Sequence, residues 1–97
     1  MTNNDLVARI ASLLSQAGAA HHEYEQTVLQ GVYDQDWPLW YARYAVEQGL
    51  NSLLNMPLNP EQVSQLLTQI YQDYESEKPQ LTWAEYTAEK LVERAVG

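Results

Sequence analysis

The segment GVYDQDWPLWYARYAVEQGL, Gly31 to Leu50, carries two of the three tryptophans and three of the seven tyrosines in a chain of 97 residues. Trp37, Trp40, Tyr41 and Tyr44 fall at i, i+3, i+4 and i+7, the spacing of one helical face. Asp34 or Asp36 stands where a helix needs a cap. Pro38 in the first turn gives up only an N–H that would lack a partner there. Trp37 precedes proline and is biased away from the α region, so it is a further candidate for the cap. Gly49 supplies a stop. The segment reads as a capped helix with an aromatic face.

Upstream, Val7, Ile10, Leu14, Ala17, His21, Tyr24 and Val28 alternate three and four apart, a heptad seam that Leu6 and Leu13 widen. This predicts one long helix from about Asn3 to Gln30, with Gly31 as its stop. Gly18 interrupts the stripe at a cost of about 1 kcal/mol relative to alanine and is where a break or kink would fall. Downstream of Gly49 a turn or short helix runs to Asn55. Asn59-Pro60-Glu61 opens the next helix with a cap, a proline and an acid. Its buried stripe is Val63, Leu66, Leu67, Ile70, Tyr71 and Tyr74, ending near Ser76, and Pro79 prevents continuation. Thr82-Trp83-Ala84-Glu85 is a capping box that opens a last helix with Trp83, Thr87, Leu91 and Ala95 on one side. No segment alternates as a strand. The expected fold is all-α: a single helical domain over residues 1–97, a compact bundle of four main helices with a short fifth.

The two halves, residues 3–50 and 59–96, carry similar markers. Leu13-Leu14-Ser15-Gln16 parallels Leu66-Leu67-Thr68-Gln69, and Tyr24-Glu25 parallels Tyr74-Glu75. Trp37, Trp40, Ala42, Val46 and Glu47 parallel Trp83, Tyr86, Ala88, Val92 and Glu93. Two helix-turn-helix units about a pseudo-two-fold axis would produce this. His21, His22, Asp34 and Asp36 have no clear counterparts, so chemistry specific to them belongs to the first half.

His21-His22-Glu23-Tyr24-Glu25 followed by Gly31 to Tyr44 resembles a family of short bacterial helical proteins. That family joins an HHxYE helix to a DxDWPxWYA motif. The resemblance covers His21 to Gly49, about a third of the chain, and implies that the histidine helix pairs with the tryptophan helix. No activity follows from it.

Composition limits the function classes. Thirteen acids against five bases give a net charge of −8, which disfavours nucleic acid as a partner and repels anionic membrane surfaces. Cysteine is absent, which removes disulfides and thiolate chemistry and fits the cytoplasm. The N-terminus does not read as a signal peptide, and no apolar run approaches the length of a membrane span.

The candidate site is the cluster His21, His22, Glu25, Asp34, Asp36, Trp37 and Tyr41. His21 and His22 lie four and three residues before Glu25, within reach on a helix. Imidazole with carboxylate is an acceptable ligand pair, which makes His21, His22 and Glu25 metal candidates. Bundle metal sites, however, use several glutamates and two Glu-x-x-His motifs, absent here. Asp34-Gln35-Asp36 is not a calcium loop, because Leu39 and Ala45 stand where glycine and a bidentate acid are required. Imidazole beside aspartate could serve acid–base chemistry, but no serine is marked as a nucleophile. Trp40 and Tyr44 are expected in the core, whereas Trp37 and Tyr41 fit either the core or the wall of a groove for a ligand or partner helix. The leading expectation is a non-enzymatic binding module without a cofactor, homodimeric through the seam or bound to another protein. The alternative is a metal- or small-ligand-binding protein, enzymatic or not, built on that cluster.

Overall fold

Five helices follow one another: α1 (Asn3–Thr27), α2 (Trp37–Glu47), α3 (Leu50–Leu54), α4 (Pro60–Glu77) and α5 (Trp83–Ala95). The computed structural model describes residues 3–95, and no strand occurs among them. The chain is an all-α bundle, with α3 the predicted short element.

Local chemistry explains the boundaries. Asn59 caps α4 through a complete capping box: its side chain accepts from the Gln62 N–H at 2.8 Å, and its own N–H donates to Gln62 Oε1 at 2.9 Å. The sequence signal at Asn59-Pro60-Glu61 marked this start, and Gln62 completes it. Thr82 and Glu85 form the second box, with Glu85 N–H to Thr82 Oγ1 at 3.2 Å and Thr82 N–H to Glu85 Oε1 at 3.4 Å. Gly49, at φ +103°, takes the left-handed turn between α2 and α3, a conformation that suits a residue without Cβ. α1 closes at Thr27, three residues short of the predicted end. The chain turns through Gln30 and Gly31 at positive φ, and the Gly31 N–H reaches back to the Glu25 carbonyl at 2.7 Å.

α1 runs without a break through Gly18. A Cβ placed there would lie 3.4 Å from the Tyr41 hydroxyl oxygen. The glycine therefore sits against the hydroxyl of an α2 residue, and the helix continues through it.

The core unites Ile10, Leu13 and Leu14 of α1, Ala42 and Ala45 of α2, Leu50 and Leu54 of α3, Val63, Leu67 and Ile70 of α4, and Tyr86, Ala88, Leu91 and Val92 of α5. A radius of gyration of 13.0 Å is that of one domain of about 100 residues. The seam of α1 is used inside the molecule: Ile10, Leu14, Ala17 and His21 are buried, whereas Val28 is 61% exposed. α2 turns small residues inward, so its core face is Ala42 and Ala45. Trp40 and Tyr44, expected in the core, instead stack on each other at 5.6 Å beside it.

α1 packs most extensively on α5, and α2 on α4; α1 against α2 and α4 against α5 make the next contacts. Exchanging α1 with α4 and α2 with α5 leaves this pattern unchanged. Details recur when Leu13-Leu14 is aligned with Leu66-Leu67. His21 then matches Tyr74, and each lies against the matched ring, Trp40 at 4.9 Å and Tyr86 at 5.3 Å. Each also bonds the connection that follows its helix, His21 to Asp34 and the Tyr74 hydroxyl to the Leu81 carbonyl. In this register Tyr24-Glu25 falls three residues from Tyr74-Glu75, so those two markers do not occupy matching positions.

Candidate functional site

The connection between α1 and α2 is held down by His21. The ring is buried, 7% exposed, and its Nε2 lies 2.9 Å from Asp34 Oδ2. A carboxylate only accepts, so the ring carries its hydrogen on Nε2 and donates. Nδ1 faces Glu25 Oε1 at 3.7 Å, one helical turn on. Glu25 in turn accepts from the Asp34 N–H through Oε2 at 3.3 Å. Asp34 Oδ1 accepts from the Asp36 N–H at 3.0 Å. Three of the four oxygens of Glu25 and Asp34 thus accept a hydrogen bond from the protein, and Glu25 Oε1 does not.

Beside this cluster opens a cleft of about 320 Å³ lined by His21, Glu25, Tyr33, Asp34, Trp37, Tyr41, Tyr71 and Trp83. Its rings stand nearly perpendicular to their neighbours. Trp37 meets Tyr41 at 5.5 Å, Tyr71 at 5.2 Å and Trp83 at 5.8 Å, and Tyr41 meets Trp83 at 5.4 Å. Centroid separations of this kind at steep angles are the favoured edge-to-face geometry. Trp37 and Trp83 each open their helix, so the cleft forms where the N-terminal ends of α2 and α5 meet. The buried indole N–H of Trp83 finds no acceptor among the described residues.

Five of the seven sequence candidates line the cleft: His21, Glu25, Asp34, Trp37 and Tyr41. His22 is exposed and does not. Asp36 is exposed as well; it stands at the cap position of α2, but its side chain makes no capping bond. Trp37 is the first helical residue and not the cap. Tyr71, expected in the buried stripe of α4, is 37% exposed and supplies a wall of the cleft. Tyr33, Tyr71 and Trp83 escaped the reading of the sequence. The parallel between Trp37 and Trp83 was the one signal that could have drawn Trp83 in.

Among the described residues no three His, Asp or Glu side chains converge as a metal ion requires. The reason is geometric: the two nitrogens of His21 point to different carboxylates, and His22 lies outside. Of the two imidazole nitrogens, Nε2 is engaged by Asp34, and Nδ1 faces the Glu25 carboxylate without a hydrogen bond. Burial pushes the Tyr41 phenol above its ordinary value, and the charge of Glu25 adds to this. The Tyr71 phenol is also raised, first by its hydrogen bond to Glu75, then by burial and by the charges of Glu75 and Tyr33. Both rings therefore face the cleft as neutral phenols. No lysine or arginine lines it. Two carboxylates against at most one imidazolium leave at least one negative charge.

No protein-family model, curated protein or solved structure matches this chain. No helix among the described residues is long and apolar enough to cross a membrane.

Proposed function

We infer that this is a binding protein whose working surface is the cleft between the His21–Glu25–Asp34 cluster and the walls Trp37, Tyr41, Tyr71 and Trp83. One observation carries the reading. Aromatic side chains from three helices converge on a concavity that also collects two carboxylates; Tyr41 and Trp83 pack against the core as well, whereas Trp37 and Tyr71 are not part of it. A cleft with apolar walls and a few fixed polar groups is the ordinary form of a small-ligand site. Binding fits better than catalysis, because the polar groups are engaged with one another and no nucleophile accompanies them. Self-association through the seam has less surface to draw on, since Ile10, Leu14, Ala17 and His21 are buried within the molecule and only its last residue, Val28, is exposed.

The test uses the tryptophans. Trp37 and Trp83 line the cleft, whereas Trp40 lies behind His21. A set of small cations, anions and uncharged apolar compounds is titrated while the three indole N–H signals are followed by NMR. Hits should move Trp37 and Trp83 and leave Trp40 nearly still. Hits confined to the shallow hollow around Asn51, Asn55 and Met56, or no hit from any class, would count against the cleft.

A further inference from the structure

We propose that the cleft takes an organic cation whose charge is carried by a methylated ammonium group; this rests on the reading of the cleft as a binding site. Three features select this chemistry. The first is charge. Glu25 and Asp34 outweigh His21, no lysine or arginine lines the cleft, and the net charge of −8 draws cations toward the protein.

The second is the walls. The face of an aromatic ring is the negative end of its quadrupole, and Trp is the strongest partner for a cation, followed by Tyr. Trp37, Tyr41, Tyr71 and Trp83 are such rings, set at 74–81° to their neighbours, so that they form walls of differing orientation around one space. The raised phenols of Tyr41 and Tyr71 keep their hydroxyls neutral.

The third feature separates a methylated ammonium from a metal ion or a primary amine. Both of those need oxygens that point at them. Here three of the four carboxylate oxygens already accept from protein groups: Glu25 Oε2 from the Asp34 N–H, and Asp34 Oδ1 and Oδ2 from the Asp36 N–H and His21, which leaves Glu25 Oε1, 3.7 Å from His21 Nδ1, as the one oxygen without a hydrogen bond. The acids thus act mainly through their field. A fully methylated, quaternary ammonium suits this arrangement, since it has no N–H to satisfy and offers methyl groups to the ring faces.

The experiment compares three probes on the intact protein, read at the Trp37 and Trp83 indole signals. They are choline, ethanolamine (the same chain with a primary ammonium) and the uncharged analogue of choline in which tert-butyl replaces trimethylammonium. Choline should bind at least about tenfold more tightly than either of the others, a difference of about 1.4 kcal/mol. Glu25→Gln should weaken choline several-fold and leave the tert-butyl analogue unchanged. If the analogue binds as well as choline, the cleft is a binding site for apolar groups and the cation assignment is overturned. If ethanolamine matches choline, the requirement for methyl groups is overturned. If none of the three moves Trp37 or Trp83 while another compound class does, the assignment fails and the binding reading stands. Silence from every class removes both.

Discussion

Asp34 and Asp36 are two residues apart and offered the same reading in the sequence, that of a helix cap. In the structure they differ in kind. Asp34 bonds both the His21 ring and the Asp36 N–H and so fixes the path from α1 to α2, whereas the Asp36 side chain makes no capping bond. Asp34→Ala should cost about 1–3 kcal/mol, because it strips the partner from a buried imidazole. Asp36→Ala should stay within about 0.5 kcal/mol. Urea denaturation of the two variants checks the difference, and equal losses would mean that the His21 bond does not anchor the loop. Gly18 gives a second test at this scale. The position is helical and an added Cβ meets only the Tyr41 hydroxyl at 3.4 Å. Gly18→Ala should therefore stabilise the protein by about 0.5–1 kcal/mol. A destabilised variant would show that Tyr41 has no room to accept the methyl group. The sequence could not distinguish a break from a packing glycine, because the neighbour that decides it arrives from another helix.

The helices were legible because their ends are chemically marked. Asn59 with Pro60, and Thr82 with Glu85, fix the starts of α4 and α5 by side-chain to backbone bonds that span only three residues. Asn59→Ala should lower stability by about 1 kcal/mol, measurable by the same denaturation. The end of α1 was less legible, since it depends on the turn through Gln30 and Gly31. One bond between elements gives the fold an alkaline limit. The Tyr86 hydroxyl, on α5, donates to Glu77 Oε2 at the end of α4 at 2.7 Å. That bond, together with burial and the charges of Glu77 and Asp73, pushes the phenol up to about 12 against a small opposing effect of Arg94. The folded state thus favours the protonated phenol more than the unfolded state does. Its contribution is complete below the ordinary tyrosine value of 10.0 and is lost as pH rises from there to about 12. Thermal unfolding followed over that range should show a steeper decline for the wild type than for Tyr86→Phe. Parallel declines would remove Tyr86 as the cause.

At the scale of the molecule, the fold class was legible and the site only by half. His21, Glu25, Asp34, Trp37 and Tyr41 lie on one helix pair and its connection, close enough in sequence for spacing to join them. Tyr71 and Trp83 come from α4 and α5 and reach the cleft only because α2 packs on α4 and α1 on α5. No local pattern encodes that crossing. Tyr71 counted as one of a buried stripe, although its position at the rim leaves it 37% exposed. Val28, Val32 and Tyr33 are more than 60% exposed and sit at the end of α1 or in the connection after it, so the largest exposed apolar side chains gather near the His21 anchor.

Tyr71 is the residue through which the whole account is most directly tested. It belongs to the second half, it is accessible, and it meets Trp37 at 5.2 Å, so its replacement removes a wall without opening the core. The measurement is the choline affinity of wild type and Tyr71→Leu, followed at the Trp37 and Trp83 indole signals, with thermal stability recorded alongside. The expected result is a loss of about fivefold in affinity with little change in melting temperature. Unchanged affinity in a folded Tyr71→Leu variant, or a response at Trp40 alone, would contradict a cleft assembled across both halves of the chain.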